Sequence, residues 1–419
     1  MKTVVILGTL DTKSAQIGFV AEEIKSKGYQ VILMDMSTGT GPSHPAEITC
    51  DEIAKAAGAT IEEIRASRDR DKISKLVIEG ASKKANELLE SGKLDGIMAI
   101  GGYSAATICT RVMKSLPFGL PKLMVSSAAG LPVPDVGGWF GTSDITMMNT
   151  LVDLVRLNKM VKSVLNRAAG AICGMLGVAM GDLRTILSTE EPLVAVSVYG
   201  PSENCGQLVC ELLERRGYGQ IVFHAQGVGD RAMEDLIAQG FFDGVVDMVL
   251  GGVSDEILEG GRAAGPYRLE SAGARGIPQV VAPSGSNMTG AGPMRKNREK
   301  YISRQKVLKI DDIRVMVRLN EEEMRLVADT VAEKLNKAKG PVQFFMPLRG
   351  WSSWERENSI LHAPELDKIF LEQLKKRLKP GIKIIEIDSN LEDSIFATAM
   401  VEAFDEMMKG RKISAPSRA

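Results

Sequence analysis

The feature that most constrains this chain is a recurring alternation: an apolar run, a turn of glycine and small polar residues, then a helix-spaced apolar stripe. "KTVVILG" (2–8) is followed by Ile17, Val20, Ala21 and Ile24 at spacings of three and four, with Gly28 placed to close the helix. "YQVILMD" (29–35) supplies a second strand. A looser segment carrying Gly39, Gly41, Pro42 and Pro45 leads to a helix striped by Ile73, Val77, Ala81, Ala85 and Leu88 and ending near Gly92. "LDGIMAIGG" (94–102) and "PKLMVSS" (121–127) add strands with a helix between them. Strands that alternate with helices in this way imply a parallel sheet covered on both faces.

The pattern restarts after "STEEPLVAVSVYG" (188–200), where Thr189, Glu190, Glu191 and Pro192 read as a link. Further strands are expected at 220–225, 244–250, 278–283, 341–347 and 382–387. Two units follow, residues 1–188 and 189–419, in keeping with a 419-residue chain too long for one core. The apolar segment 150–181 is expected to form helices between the units or against another subunit. The fold class expected is therefore α/β, with two mainly parallel sheets, each covered by helices on both faces.

Composition excludes several classes of function. Lys plus Arg (52) balances Asp plus Glu (53) with no basic block, so nucleic acid and anionic membrane are not expected as partners. The stretch 168–180 is too short for the ~20 residues of a membrane helix, and the N-terminus shows no signal-peptide order. Five cysteines without a C-x-x-C pair suggest neither a disulfide framework nor a zinc site, and a reducing cytoplasm is the expected compartment.

"GTLDTKS" (8–14) invites comparison with a phosphate-binding P-loop, and the comparison fails. Only four residues separate Gly8 from Lys13 where the motif has five, and Thr12 stands where its second glycine belongs. A weaker argument survives, because a helix that starts just beyond a parallel strand aims unpaired amides and a positive dipole end at the sheet's carboxyl edge. "AIGGYSAAT" (99–107) repeats the arrangement after a later strand. In a 2-1-3-4 strand order the two turns would face one another across a crevice. Gly8, Thr9, Gly101, Gly102, Ser104 and Thr107 would then approach an anion closely and Lys13 would offset its charge. Asp11 either caps its helix or holds ribose or Mg²⁺. Thr142, Ser143 and Asp144 form a polar turn ahead of an expected Met-rich helix; they either cap it or join the ligand, Asp144 again as a ribose or Mg²⁺ group.

In the second unit His224, Asp255, Glu256, Arg268 and Arg349 follow strands or turns, as do Ser284 and Ser286. As a set they suit acid/base work on an anionic carboxylate or sugar acid in an interdomain cleft. Sequence separations assign no triad and no metal set, and each of these residues has an ordinary structural reading beside the catalytic one. Trp351 and Trp354 are expected mainly to pack.

At "GTLDTK" (8–13), "GLPKLMVSS" (119–127), "GTSDITMMNTLVD" (141–153), "FHAQGVGDRAMEDLI" (223–237), "GPYRLESAGARGIPQVVAP" (265–283) and "PLRGWS" (347–352) the chain resembles the Tm-1-like ATP-binding family. The resemblance runs over nearly the whole length. It implies two Rossmann-like subdomains, a homodimer, and ATP held in the N-terminal crevice with Mg²⁺ as a possible companion. It also implies a TIM-barrel partner similar to phosphoenolpyruvate hydrolases, in whose service this chain would be a non-catalytic subunit. The chain departs from the family pattern at Tyr103-Ser104-Ala105-Ala106-Thr107, where a more glycine-rich loop is expected, at Gly229-Asp230, and at "SGSNMTGAG" (284–292). These departures fall on expected ligand loops, and Tyr103 would close the crevice where glycine would leave it open.

Overall fold

A computed structural model describes residues 1–39, 45–131, 139–178, 191–293 and 295–410. Gly41, Pro42, the link residues Thr189 and Glu190, and the end of the 168–180 stretch lie outside the described residues. The chain divides into two compact units, Met1–Ser188 and Thr189–Ala419. Each is α/β, built on a parallel sheet with helices on both faces.

The first unit contains β1 (Thr3–Gly8), α1 (Leu10–Ser26), β2 (Gln30–Asp35), α2 (Cys50–Ala56), α3 (Ile61–Ala66), α4 (Arg70–Glu90), β3 (Gly96–Gly101), α5 (Tyr103–Lys114), β4 (Lys122–Ser126), β5 (Thr146–Asn149) and α6 (Lys159–Val178). Its strands lie in the order β2-β1-β3-β4-β5, all parallel. Successive β1 side chains enter opposite cores: Val4 and Ile6 join the side chains of α1 and α6, while Val5 and Leu7 join those of α2, α4 and α5. That is why the strand reads as a continuous apolar run rather than an alternating one. The helices begin on local signals. Thr49 and Thr60 form capping boxes with Glu52 and Glu63, and Asp69 caps α4.

Two expectations are corrected here. Residues 146–149 form an edge strand, not a helix, because β4 supplies a parallel ladder (Leu123↔Thr146 to Ser126↔Asn149) that a four-residue pattern cannot announce. The apolar stripe of α6, including Leu165, Ala168, Ile172 and Leu176, belongs to the core of the first unit itself.

The second unit contains β6 (Leu193–Val198), α7 (Glu203–Glu214), β7 (Gly219–His224), α8 (Val228–Ala238), β8 (Gly244–Val249), α9 (Gly251–Ile257), α10 (Ser271–Arg275), β9 (Gln279–Ser284), β10 (Met288–Gly290), α11 (Arg298–Tyr301), β11 (Val307–Lys309), β12 (Val315–Arg318), α12 (Glu321–Asn336), β13 (Val342–Pro347), α13 (Pro364–Arg377), β14 (Lys383–Ile387) and α14 (Ser394–Gly410). The main sheet runs β14-β13-β9-β8-β6-β7. Side chains of α7 and α14 fill the core on one face, and those of α12 and α13 fill it on the other. A small antiparallel sheet, β10-β12-β11, lies outside the alternating pattern. It absorbs "SGSNMTGAG", read from sequence as a ligand loop; every residue from 284 to 292 is buried. In both main sheets the first strand lies between the second and the third, so their connections diverge at the carboxyl edge.

Candidate functional site

β1 and β3 pair in register from Val4↔Gly96 to Leu7↔Ala99. Gly8 and Gly101 therefore leave neighbouring strands, ~4.8 Å apart, at the same edge. Both are glycine for packing reasons. A Cβ on Gly8 would lie 2.1 Å from Ile17 Cδ1, and one on Gly101 2.4 Å from Ala105 Cβ, because each following helix folds straight back over its strand. Gly102 differs, since a Cβ there would meet nothing within 4 Å. The two turns flank the place where a strand order of this kind opens a crevice.

The helices that open from it are finished differently. At α1 the Leu10 amide donates to Asp35 Oδ1 (3.1 Å) and the Asp11 amide to Ser37 Oγ (3.1 Å). Asp35, at the end of β2, also accepts the Ser37 amide (3.0 Å) and hydroxyl. A protein carboxylate thus occupies the positive end of α1. At α5 the N-cap is Gly102, which brings no side chain, and Tyr103 and Ser104 are exposed. Among the described residues no side chain caps the first-turn amides of α5, which makes them the candidate anion donors of this edge. Thr107 bonds within its own helix, its hydroxyl donating to Tyr103 O (3.0 Å). Thr9 and Thr12 share a hydroxyl contact of 2.9 Å. Lys13 donates to Leu154 O (2.8 Å) and lies 3.9 Å from Asp153. One oxygen of Asp11, Oδ1, is buried with no partner among the described residues, an acceptor suited to a ribose hydroxyl or to Mg²⁺.

Thr142, Ser143 and Asp144 are not brought to this crevice. They precede β5, at the amino edge of the sheet, the length of a five-residue strand or ~16 Å away. Asp144 instead accepts the Lys122 ammonium (2.6 Å) and the Gly119 amide (2.7 Å). The Lys122 side chain is fully enclosed; burial draws its pKa down, and the Asp144 carboxylate opposes that. A lysine that opens a buried strand requires such a partner.

In the second unit the corresponding edge is filled by the protein's own charges. Arg268 forks onto Asp247 (2.5 and 2.6 Å), reaches Glu234 (3.1 Å) and donates to Val249 O (2.8 Å); the Ser197 hydroxyl donates to Asp247 (2.6 Å). Arg262 pairs with Asp255 (3.0 Å) and donates to Gly285 O (3.0 Å) and Met288 O (2.7 Å). A Cβ on Gly251 would stand 2.5 Å from Arg262 Nη1, and one on Gly252 2.6 Å from Asp230 Oδ2. Asp230 accepts the Gly227 amide (3.0 Å), and burial pushes its pKa up to about 6. Deeper in the unit, Arg318 pairs with both Glu355 and Asp367; burial, and then the charge of Asp367, raise the Glu355 carboxyl.

The acid/base set expected from sequence does not assemble. Asp255 and Arg268 are buried in separate ion pairs, and Glu256 accepts the Gly265 amide (2.8 Å). His224 is exposed at the end of edge strand β7, where with Tyr199, Gly200 and Glu203 it lines a cavity of about 310 Å³. Arg349 follows β13 and forks onto Asp388 (2.7 and 2.6 Å) in solvent; β6, β8 and β9 lie between the two strands. Ser284 and Ser286 are buried and bond to Trp351 O and Pro283 O (2.5 and 2.7 Å). Trp351 packs on Phe370 and Trp354 on Tyr199. Sequence does not single out Glu234, Asp247 or Arg262, and it marks Asp230 only as a departure from the family pattern. Asp247 had a signal, being a lone carboxylate inside the apolar strand "GVVDMVL", where burial demands a countercharge.

Comparison with known proteins places this geometry in context. Residues 2–180 match the N-terminal domain and 191–408 the C-terminal domain of Uncharacterised protein family (UPF0261). A UPF0261 protein of Clostridium tetani is 33% identical over 409 residues, covering 97% of this chain and 99% of that one. The ToMV resistance protein Tm-1 of Solanum lycopersicum is 27% identical over 430 residues, covering 96% of this chain and 55% of that one. Among solved structures, UDP-N-acetylglucosamine 2-epimerase from Rickettsia bellii covers 90% of this chain and 96% of its own at 12% identity and a TM-score of 0.23.

Proposed function

The chain belongs to the UPF0261 family, and from that premise we propose that its first unit binds a nucleotide, ATP, in the crevice between the β1 and β3 turns. The observation that carries the reading is the contrast at the two helix starts: α1 is capped by Asp35, while α5 opens on Gly102 with no capping side chain among the described residues and with Tyr103 and Ser104 exposed. The phosphates would lie on the amides and hydroxyl around Ser104, with Gly102 leaving room for their approach. Asp11 Oδ1 fits a ribose hydroxyl or a phosphate-bound Mg²⁺. Lys13 would serve the phosphate only on exchanging its bond to Leu154 O. Asp144 has no part in this site.

The decisive variant is Gly102→Asp. Its Cβ has open space, and an Asp side chain at the N-cap would accept the α5 amides itself. Unliganded stability should stay level or rise by a few tenths of a kcal/mol, while the ATP-dependent rise in melting temperature expected of the parent should vanish. An unchanged ATP response in this variant would refute the site. The same reading carries a homodimer, to be checked by light scattering, and a TIM-barrel partner in the cytoplasm, to be sought by copurification.

A further inference from the structure

Tyr103 opens α5 with 47% of its surface exposed, beside the first-turn amides. The ring is held in place: it meets Trp139 edge to face, centroids 5.2 Å apart and planes at 71°. Trp139 is 4% exposed and shares a buried cluster with Ala106 and Cys109 of the same helix. Its indole N–H is buried and has no partner among the described residues. A half-exposed phenol fixed by a buried indole has already lost most of its rotamer freedom, so a flat ligand binding to it meets little further entropy cost. The edge contact leaves much of the phenol open to stacking.

We propose that Tyr103 sets the specificity of the crevice: its ring stacks the aromatic base of a nucleoside phosphate whose phosphates lie on α5, so that the site takes nucleotides in preference to sugar phosphates or inorganic polyphosphates. The proposal rests on the nucleotide reading above and names what selects within it. Tyr103 plugs the crevice only if its removal improves binding. If it stacks, its removal weakens binding, and only for ligands that carry a base.

Isothermal titration of the full chain with ATP and with inorganic tripolyphosphate separates these cases. The parent should bind ATP at least tenfold more tightly than tripolyphosphate. Tyr103→Ala should weaken ATP by roughly tenfold or more, the range of base–aromatic stacking, and leave tripolyphosphate within about twofold. Tyr103→Phe, which keeps the ring face, should bind ATP as the parent does. Three results would overturn the proposal and spare the phosphate cradle: equal affinity of the parent for both ligands, tighter ATP binding by Tyr103→Ala, or loss of ATP binding by Tyr103→Phe. A parent that binds neither ligand would overturn the cradle and the stacking together.

Discussion

At the carboxyl edge of the first sheet, β1 and β3 release Gly8 and Gly101 into turns whose second helix, α5, starts with Tyr103 and Ser104 exposed and no capping side chain among the described residues. At the corresponding edge of the second sheet, β6 and β8 release turns that close over Arg262, Arg268, Asp230 and Asp247, all buried. The strand order around the crevice is the same: first strand between second and third. The first helix of each unit is finished alike, by a carboxylate from elsewhere in its unit: Asp35 takes the Leu10 amide, and Glu392 takes the Cys205 amide (3.2 Å). The difference lies after the third strand, where Gly102 faces open space in one unit and Gly251 packs against Arg262 in the other. Strand order creates an opportunity for a site, and side-chain charge decides whether the protein fills it.

The largest test of that contrast is Arg268→Met. It would leave Asp247 and Glu234 buried without their cation, and the second unit should lose about 3–5 kcal/mol in denaturant unfolding. A loss under 1 kcal/mol would mean the charges at this edge are not holding it together.

Next in size is the pH response of Asp230. Its folded pKa, about 6, lies above the unfolded value near 3.9. Between about pH 4 and 6 the folded state keeps a proton that the unfolded state has lost, so this group's contribution to stability falls as pH rises and stays low above 6. Asp230→Asn should therefore remove about 1.4 kcal/mol of the fall in unfolding free energy between pH 5 and pH 8. A slope equal to the parent's would show that Asp230 does not titrate in this window.

Smaller again is Asp35→Ala in the first unit. It removes a helix cap and should cost about 1 kcal/mol. The freed α1 amides would then offer a second anion site, read as a stronger thermal shift with inorganic phosphate than the parent gives. Arg349→Ala, which breaks only a solvent-exposed fork to Asp388, should leave the melting temperature unchanged. A clear drop would show that the far edge of the second sheet depends on it.

Much of this architecture was legible in the sequence. The apolar runs at 2–8, 94–102, 194–198 and 244–250 all became central strands, and the 2-1-3-4 order assumed for the first unit is the one found. The Gly8 and Gly101 turns were correctly placed at one edge because each ends a strand of that sheet. Asp144 was misplaced: its turn is polar and glycine-flanked like the others, and nothing local says that it precedes its strand's start rather than following an end. Arg268 and Asp255 were rightly noticed, but as chemistry. Their burial against Asp247 and Arg262 makes them structural.

What the sequence determined by itself was the alternation of elements, the two units, and the glycines on which the first crevice depends, since periodicity and turn chemistry act over a few residues. Only the tertiary structure decided which charges meet. Asp35 reaches Leu10 across 25 residues, Asp144 reaches Lys122 across 22 and Arg268 reaches Asp247 across 21. A buried charge takes whatever partner the packed strands bring within about 3 Å, and that choice filled the carboxyl edge of the second sheet with ion pairs.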